Sequence, residues 1–326
     1  EGDIDMNEQT DMHKPDADKK PIRKSRKKKL ICIFSVTAVL ILIVALSFNS
    51  ILNFVVNKTM GKDLPELTGE PEIGKWYAVD VDDAVSSDGS KWQGYFRKGS
   101  ENKVVLYFYG GGFSVNDYTA ARSMDVDGGF YNPRLNTGLN VMTYAIKEWG
   151  IGNSADENIF RDWTFIGVPY CNGDFHSGTN VKEYTALDGS IKTIQYVGYD
   201  NYRKLITKLF NYIDDSPEQL LVTGSSAGGF GAAILADDAI ELFNNPQDVT
   251  VHIDSSLLIT EDWHDIMVRE WNSPKALSDV VTGDNITLDS LVALHQEKAV
   301  FANEEQFALS YQAENDIKEW LNSLWE

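Results

Sequence analysis

Short apolar segments alternate with longer segments of helical periodicity along most of this 326-residue chain. This alternation is typical of an α/β domain with a mainly parallel sheet. In such a sheet ligands bind outside the carboxyl ends of the strands, so residues that follow a strand are the first candidates for a functional site. The predicted strands are 104–109, 140–144, 164–168, 192–197, 219–223, 249–253 and 306–310, and the predicted helices are 199–213, 227–243, 260–271, 288–298 and 315–325.

An uncharged apolar run, residues 30–48, follows a basic segment that carries eight Lys and Arg within residues 19–29. A helix of that length, at about 1.5 Å per residue, spans roughly the hydrocarbon core of a bilayer. A buried core helix and a cleaved signal peptide are the alternatives. Basic flanks stay in the cytoplasm, so the remainder of the chain is expected outside it. We therefore predict a disordered cytoplasmic tail (1–29), a single transmembrane signal anchor (30–56), a linker (57–75) and an extracytoplasmic α/β domain (76–326).

The charge of the chain excludes one class of partner. The formal net charge is −20, and residues 30–326 hold 20 Lys and Arg against 42 Asp and Glu. A domain with this excess of acidic residues repels the phosphate backbone of nucleic acids, so we expect no nucleic-acid binding. The only cysteines, Cys32 and Cys171, fall in different predicted compartments, so we expect no intrachain disulfide. We also expect no cofactor, and the oligomeric state is left open.

The segment GSSAG at residues 224–228 fits the pattern G-x-S-x-G with Ser226 at its centre. It lies between a predicted strand and a predicted helix rich in small residues, which is the context of a nucleophile elbow. Small flanking residues allow the sharp turn, and the N-terminus of the helix favours developing negative charge. Ser225 is the weaker candidate, with a turn or a supporting hydrogen bond as its role. An ordinary tight turn is the alternative for the whole segment.

The segment YGGGFS at residues 109–114 directly follows another predicted strand. Consecutive glycines expose backbone N–H groups, and an acyl-transfer enzyme needs such donors at its oxyanion. Together with the residue after the serine, they make Gly111, Gly112 and Ala227 the candidate donors. A flexible turn is the alternative. A phosphate-binding loop is disfavoured because no Gly-Lys-Ser/Thr completes the pattern.

The segment VPYCNGDFHSG at residues 168–178 gathers Tyr170, Cys171, Asp174 and His176 after a third predicted strand. Cys171 could be a nucleophile, but nothing nearby in the sequence activates it, and a packed thiol is favoured. His176 could line a pocket, act as a base or be an exposed loop residue. The spacing of His and Cys residues does not fit a metal site.

Together, YGGGFS, VPYCNGDFHSG and VTGSSAGGFGA resemble the pectin acetylesterase family over about residues 76–320. The resemblance implies an α/β-hydrolase-like three-layer sandwich and hydrolysis of an ester by a serine, with O-acetyl groups of polysaccharides as substrates. Carried over motif by motif, it implies Ser226 as nucleophile and Gly111, Gly112 and Ala227 as oxyanion donors. The residues expected around the substrate are Phe113, Tyr170, Asp174, His176 and Asp254.

The resemblance also implies a triad acid near the end of the chain. Residues 307–320 look like the family's strand followed by Y-x-D-x-W-Q, which places Asp316 as the carboxylate, with Glu314 as a competitor. The segment HIDSSLL looks like the family's D-[AS]-G element, with Ser256 where the family has glycine and Asp254 supporting the pocket. The family often has a Trp-Cys pair after the glycines, whereas Phe113 and a serine follow them here.

A triad histidine is expected after Asp316, following one more strand, because α/β-hydrolases supply their residues in the order Ser, Asp or Glu, His. The sequence ends ten residues after Asp316, and all its histidines precede that residue. We therefore expect a piece of a longer protein, nearly inactive by itself. A recruited His176 and a non-catalytic relative are the alternatives.

The predicted function is that of an extracytoplasmic serine carboxylesterase acting on O-acetyl or other O-acyl esters, on a cell-surface or extracellular polysaccharide. Its partners would be an acylated carbohydrate or another ester, and the membrane through residues 30–56. The alternatives are a surface-anchored binding protein without catalysis and a lipase or peptidase on the same scaffold. The acidic composition disfavours an anionic pectin as substrate.

Overall fold

The structure, a computed structural model, describes residues 58–254, 256 and 266–275. The predicted anchor (30–56) lies outside the described residues, as do the predicted strand 306–310, the predicted helices 288–298 and 315–325, and Asp316. In the part of the chain that is described, no helix is long and apolar enough to cross a membrane.

A six-stranded sheet in the order β1-β2-β4-β3-β7-β8 forms the centre of the described domain. Its strands are β1 Trp76–Val85, β2 Lys91–Arg97, β3 Lys103–Phe108, β4 Thr164–Val168, β7 Gln219–Ser225 and β8 Asp248–Asp254. A separate antiparallel hairpin contains β5 Asn180–Thr185 and β6 Ile191–Tyr196. The helices are α1 Asp117–Ala120, α2 Thr137–Glu148, α3 Gly198–Leu209 and α4 Ala227–Leu242, and Ile266–Glu270 forms a π-helical turn.

The sheet is mixed, with β2 as the exception among its described strands. β3 pairs in parallel with both β4 and β7, and β7 pairs in parallel with β8. β2 pairs antiparallel with β1 and with β4, so β1 runs in the same direction as the other strands. The carboxyl ends of β3, β4 and β7 therefore meet at one edge, where the three sequence motifs lie.

Helices cover both faces of the sheet. Gly94 and Tyr95 are neighbours in β2, so their side-chain directions are opposite. A β-carbon on Gly94 would lie 2.4 Å from the Leu205 side chain in α3. The Tyr95 hydroxyl is 3.4 Å from Oδ1 of Asn140 in α2. The domain therefore has three layers, with α3 on one side of the sheet and α2 on the other.

The predicted strands 104–109, 164–168, 219–223 and 249–253 are confirmed as β3, β4, β7 and β8. The predicted strand 192–197 corresponds to β6, although it belongs to the hairpin and not to the central sheet. The predicted helices 199–213 and 227–243 are confirmed as α3 and α4.

The prediction of a strand at 140–144 is wrong, because these residues lie inside α2. Asn136 caps that helix, its side chain accepting from the N–H of Leu139 at 3.1 Å. The buried positions Leu139, Thr143 and Ile146 are spaced four and three residues apart, as on one face of a helix. A short apolar run does not by itself distinguish a strand from one turn of such a helix.

The segment predicted as a linker, 57–75, contacts the sheet. The N–H of Leu67 donates to the carbonyl of Ala78 at 2.9 Å, and the N–H of Ala78 donates to the carbonyl of Pro65 at 2.9 Å. These residues therefore extend the hydrogen bonding of β1 before the chain enters that strand.

Candidate active site

Ser226 occupies a strained turn between β7 and α4. Its φ of 56° and ψ of −126° are rare for a residue with a side chain. Its N–H donates to the carbonyl of Asp254, the last residue of β8, at 2.9 Å. Among the described residues no side chain hydrogen-bonds to its hydroxyl, and the residue is exposed. The backbone thus holds an accessible hydroxyl at the carboxyl edge of the sheet.

Two glycines permit the sharp turn at Ser226. A β-carbon on Gly224 would lie 2.3 Å from the carbonyl oxygen of Gly228, and a β-carbon on Gly228 would lie 2.0 Å from that of Phe108. Only glycine allows α4 to begin this close to the end of β3. The G-x-S-x-G spacing therefore has a steric cause in this fold.

Ser225 has the supporting role that the sequence suggested. Its hydroxyl is 3.1 Å from the hydroxyl of Tyr107 in β3. That hydrogen bond links the carboxyl ends of two neighbouring strands. Ser226 is consequently the residue of this pair whose hydroxyl is available for chemistry.

The glycine loop touches the serine turn. A β-carbon on Gly110 would lie 2.6 Å from the carbonyl oxygen of Ser225 and 3.0 Å from Cβ of Ser226. Gly110 is therefore a contact point that the sequence analysis did not single out. Further along the loop, the N–H of Phe113 donates to the carbonyl of Phe130 at 3.0 Å, which ties the loop to the segment 130–132.

The three predicted oxyanion donors follow β3 and β7. Among the described residues, the N–H groups of Gly111, Gly112 and Ala227 have no hydrogen-bond acceptor. The first N–H groups of a helix normally lack a partner, but those of a folded loop are normally paired. Unpaired donors beside an exposed serine are the arrangement that stabilises an oxyanion.

His176 is buried and neutral beneath this loop. Its Nε2 is 2.9 Å from the carbonyl oxygen of Tyr109, and because a carbonyl only accepts, Nε2 carries the proton. The ring packs against Tyr170 at 4.8 Å and Phe108 at 5.0 Å between ring centroids. Burial lowers the pKa of His176 to about 4. The side chain supports the loop, and its bonded Nε2 is not available to a substrate or to Ser226.

Asp174 stabilises a second strained turn. Its carboxylate accepts from the N–H of Gly198, at the start of α3, at 2.7 Å and from the N–H of His176 at 3.1 Å. Phe175 and His176 both have positive φ, 49° and 61°. The Tyr170 hydroxyl accepts from the N–H of Phe175 at 3.0 Å. Burial raises the pKa of Asp174 to about 7.

Three of the five residues that were predicted to surround the substrate are buried. Tyr170, Asp174 and His176 are at most 1% exposed, so they pack beneath the glycine loop instead of lining an open surface. Two others, Phe113 and Asp254, are exposed. The Phe113 ring is 6.0 Å from that of Phe175, which is 4.5 Å from that of Phe230. Phe113 thus presents an apolar surface directly after the loop.

Ser256 is a supporting residue whose contribution the sequence did not reveal. Its hydroxyl is 2.6 Å from the carbonyl oxygen of Ser226 and 3.0 Å from that of Asp254. It is 5% exposed. The sequence signal was the departure from glycine in the segment HIDSSLL, and the structure shows that the added hydroxyl bonds to the backbone of the serine turn.

Cys171 is a packed thiol. It is buried and free, and its Sγ is 3.3 Å from the hydroxyl of Ser86. Burial raises its pKa to about 12, so the reactive thiolate is not formed at neutral pH. Within the described ranges no three His, Cys, Asp or Glu side chains come together as a metal site requires.

The candidate acids and two of the four candidate bases fall outside the described residues. This applies to Asp316, Glu314, His264 and His295. The remaining described histidine, His252 in β8, has its Nδ1 3.2 Å from the Thr223 hydroxyl. Neither His176 nor His252 forms a hydrogen bond with Ser226 in the described part of the chain.

Comparison with known proteins gives a family and a structural likeness. The model of the family described as pectinacetylesterase matches residues 75–304. The solved structure of the Wnt deacylase Notum from Drosophila is similar, with 14% identity and a TM-score of 0.42 over 76% of this chain and 80% of that chain. No curated protein sequence matches. Because the family match spans more than half of the sequence, the chain belongs to the pectinacetylesterase family, a family of carboxylesterase-type hydrolases.

Proposed function

We propose that the protein is a serine esterase that removes O-acetyl groups from a carbohydrate, with Ser226 as nucleophile. The observation that carries the proposal is the strained, exposed Ser226 in contact with a glycine loop in which the N–H groups of Gly111 and Gly112 have no acceptor among the described residues. Membership of the pectinacetylesterase family supports an acylated substrate. The exposed Phe113 beside the loop offers apolar surface to the acyl group or to the sugar ring.

In the proposed reaction, Oγ of Ser226 attacks the ester carbonyl while a histidine base takes its proton. The N–H groups of Gly111, Gly112 and Ala227 donate to the oxyanion of the tetrahedral intermediate. The C–O bond to the sugar then breaks, and the sugar oxygen receives the proton. Water attacks the acyl-enzyme in the same way, releasing acetate and restoring the serine. Asp316 is our candidate for orienting the base.

We propose that the base is a histidine other than His176 and His252, the two histidines that the structure describes. His176 is buried with its Nε2 bonded to a backbone carbonyl, and a pKa near 4 makes it a poor proton acceptor at neutral pH. His252, in β8, is hydrogen-bonded through its Nδ1 to the hydroxyl of Thr223 in β7. Neither of these hydrogen bonds is to Ser226.

The test compares two adjacent serines in the full-length protein. Hydrolysis of p-nitrophenyl acetate and labelling by a fluorophosphonate probe should be lost in Ser226→Ala and retained in Ser225→Ala. Loss of the nucleophile typically removes several orders of magnitude in rate, on the order of 10⁴ or more. Equal activity in wild type and Ser226→Ala would contradict the proposal. Binding of acetylated oligosaccharide without serine labelling would indicate a binding protein instead, and a preference for long acyl chains would indicate a lipase.

We further propose that residues 30–56 anchor the protein in the membrane with the esterase domain on the outer side. The uncharged run at 30–48, directly after the basic segment 19–29, supports this orientation. A C-terminal alkaline phosphatase fusion should be active in cells. An inactive fusion, or a protein that is washed from membranes by high salt, would contradict the anchor.

A further inference from the structure

A cavity of about 590 Å³ lies between the β5–β6 hairpin and the segment 120–134, and Ser226 is not among its lining residues. Its volume is within the range of small-molecule binding sites. The side chains around it come from three elements: the turn after β1, the segment after α1, and the hairpin. Nothing in the proposed chemistry uses this space.

The cavity borders the segment whose backbone pairs with the glycine loop. Tyr131 lines it, and the backbone of Tyr131 forms an antiparallel bridge with Gly112. Bridged residues have Cα atoms about 5 Å apart. The cavity therefore lies beside the glycine loop, which contacts Ser226 through Gly110.

The charged side chains around the cavity include an ion-paired cluster. Nε of Arg134 is 2.6 Å from Oδ2 of Asp88, and its Nη2 is 2.8 Å from Oδ2 of Asp125. Asp188 and Lys192 add one charge of each sign. The lining thus holds three carboxylates and two cations. Of the two cations, the guanidinium of Arg134 already forms ion pairs with Asp88 and Asp125.

The rim of the cavity is apolar. Tyr184 is half-buried, and Leu187 and Val126 are 58% and 38% exposed. A tyrosine ring presents a flat apolar face together with a polar hydroxyl, which suits a ligand that has both kinds of surface. Exposed aliphatic side chains on the rim suit the C–H face of a sugar ring.

Three ligand classes can be compared with this lining. An anionic unit, such as a uronate or a phosphate, would meet three carboxylates and two cations, and one of these cations, Arg134, is already paired with Asp88 and Asp125. A long acyl chain would have to bury the ions of the lining without hydrogen bonds. A neutral polyhydroxyl unit can donate to the carboxylates, accept from Arg134 and pack on Tyr184.

We propose that this cavity binds a neutral saccharide unit of the polymer whose ester is presented to Ser226. The proposal rests on the proposed esterase function for its place in the reaction. The binding of a saccharide to the cavity can be measured independently of catalysis.

The first test measures binding by isothermal titration calorimetry, using the 326-residue chain in mild detergent and xylohexaose as the neutral probe. Tyr184→Ala should weaken binding about tenfold, as the loss of an aromatic anchor does. Leu187→Ala and Ile191→Ala form a matched pair, because both side chains are exposed in the same hairpin and only Leu187 lines the cavity. Leu187→Ala should weaken binding, and Ile191→Ala should not.

The second test uses the full-length protein and measures acetate release from acetylated xylohexaose beside hydrolysis of p-nitrophenyl acetate. In Tyr184→Ala the KM for the oligosaccharide should rise about tenfold more than that for the small ester. If esterase activity is absent while the binding differences persist, the proposed function fails and the saccharide site stands.

The cavity proposal is overturned if the wild-type chain does not bind xylohexaose, or if Leu187→Ala and Ile191→Ala bind it equally. It is also overturned in its choice of ligand if a hexagalacturonate binds as tightly as xylohexaose. In that case the three carboxylates of the lining do not select against a uronate.

Discussion

His176 fixes the first peptide of the glycine loop. Its Nε2–H donates to the carbonyl of Tyr109, whose peptide partner is the N–H of Gly110. A peptide is planar, so holding the carbonyl also fixes the direction of that N–H. Gly110 in turn contacts Ser226. His176 is therefore a positioning residue that acts through the loop.

We predict that His176→Phe lowers the free energy of unfolding by about 1–3 kcal/mol, because a buried carbonyl loses its donor. Activity toward p-nitrophenyl acetate should fall by much less than in Ser226→Ala, and the pH profile of kcat/KM should keep its shape. Urea unfolding and pH-dependent kinetics measure these effects. A loss as large as that of Ser226→Ala, without unfolding, would show that His176 is the base after all.

The carboxyl of Asp174 should make stability depend on pH. Burial raises its pKa from 3.8 to about 7, so between these values the folded protein binds more protons than the unfolded chain. Stability from this group is therefore present below pH 3.8 and is lost as pH rises toward 7, by about 4 kcal/mol. Asp174→Asn removes the titrating group, so its stability should improve relative to wild type as the pH rises.

Urea unfolding of wild type and Asp174→Asn, in buffers from acidic to mildly alkaline pH, checks this prediction. Asp117→Asn, which changes an exposed carboxylate at the start of α1, is the control for the Asp-to-Asn change itself. A stability difference between wild type and Asp174→Asn that stays constant with pH would contradict the prediction.

At the scale of elements, an ion pair connects α3 to α4. Nη1 of Arg203 is 2.6 Å from Oδ1 of Asp238, which also accepts from the Tyr199 hydroxyl at 2.7 Å. Asp238 is 1% exposed, whereas the Arg203 side chain is 40% exposed. Removing the arginine would leave a buried carboxylate with a single donor.

We predict that Arg203→Met destabilises the fold by about 1–3 kcal/mol, less than for a fully buried pair because water reaches the arginine. The double variant Arg203→Met/Asp238→Asn should recover much of the loss, because no charge is then left buried. Thermal unfolding of the two single variants and the double variant measures the coupling. Additive effects in this cycle would mean that the pair does not act as a unit.

The elements that the sequence predicted well are those with long or unambiguous patterns. The parallel strands β3, β4 and β7 are almost entirely apolar, as strands buried on both faces are. The five residues 140–144 do not show the cap at Asn136, which decides in favour of a helix. The strands β1 and β2 were missed because their register depends on pairing with each other and with β4.

The residues of the candidate site also fall into two groups, those that a local sequence pattern identifies and those that it does not. Ser226, Gly111 and Gly112 belong to local motifs whose spacing has a steric cause, and the sequence identified them. Gly110 and Ser256 act through contacts with residues far along the chain, and no local pattern shows such contacts. The sequence left the role of His176 open, and the burial of its side chain in the structure decided between the possible roles.

At the scale of the whole molecule, net charge should decide between polymers. Residues 30–326 carry 42 Asp and Glu against 20 Lys and Arg. A polymer rich in uronate approaches such a protein against a repulsive field, and salt weakens that repulsion by shortening its range to about 10 Å at 0.1 M. A neutral polymer carries no charge for the field to act on.

We therefore predict that the KM for an acetylated, unmethylated pectin falls several-fold between low and moderate salt, whereas the KM for acetylated xylan stays constant. Methyl-esterified acetylated pectin is the matched control, because it keeps the backbone and removes the charges; its KM should resemble that of xylan in its insensitivity to salt. Initial rates of acetate release, at salt concentrations on either side of about 0.1 M, measure the effect. A KM for the anionic pectin that rises with salt would reveal an attractive site for uronate, and such a site would have to overcome the excess of acidic residues.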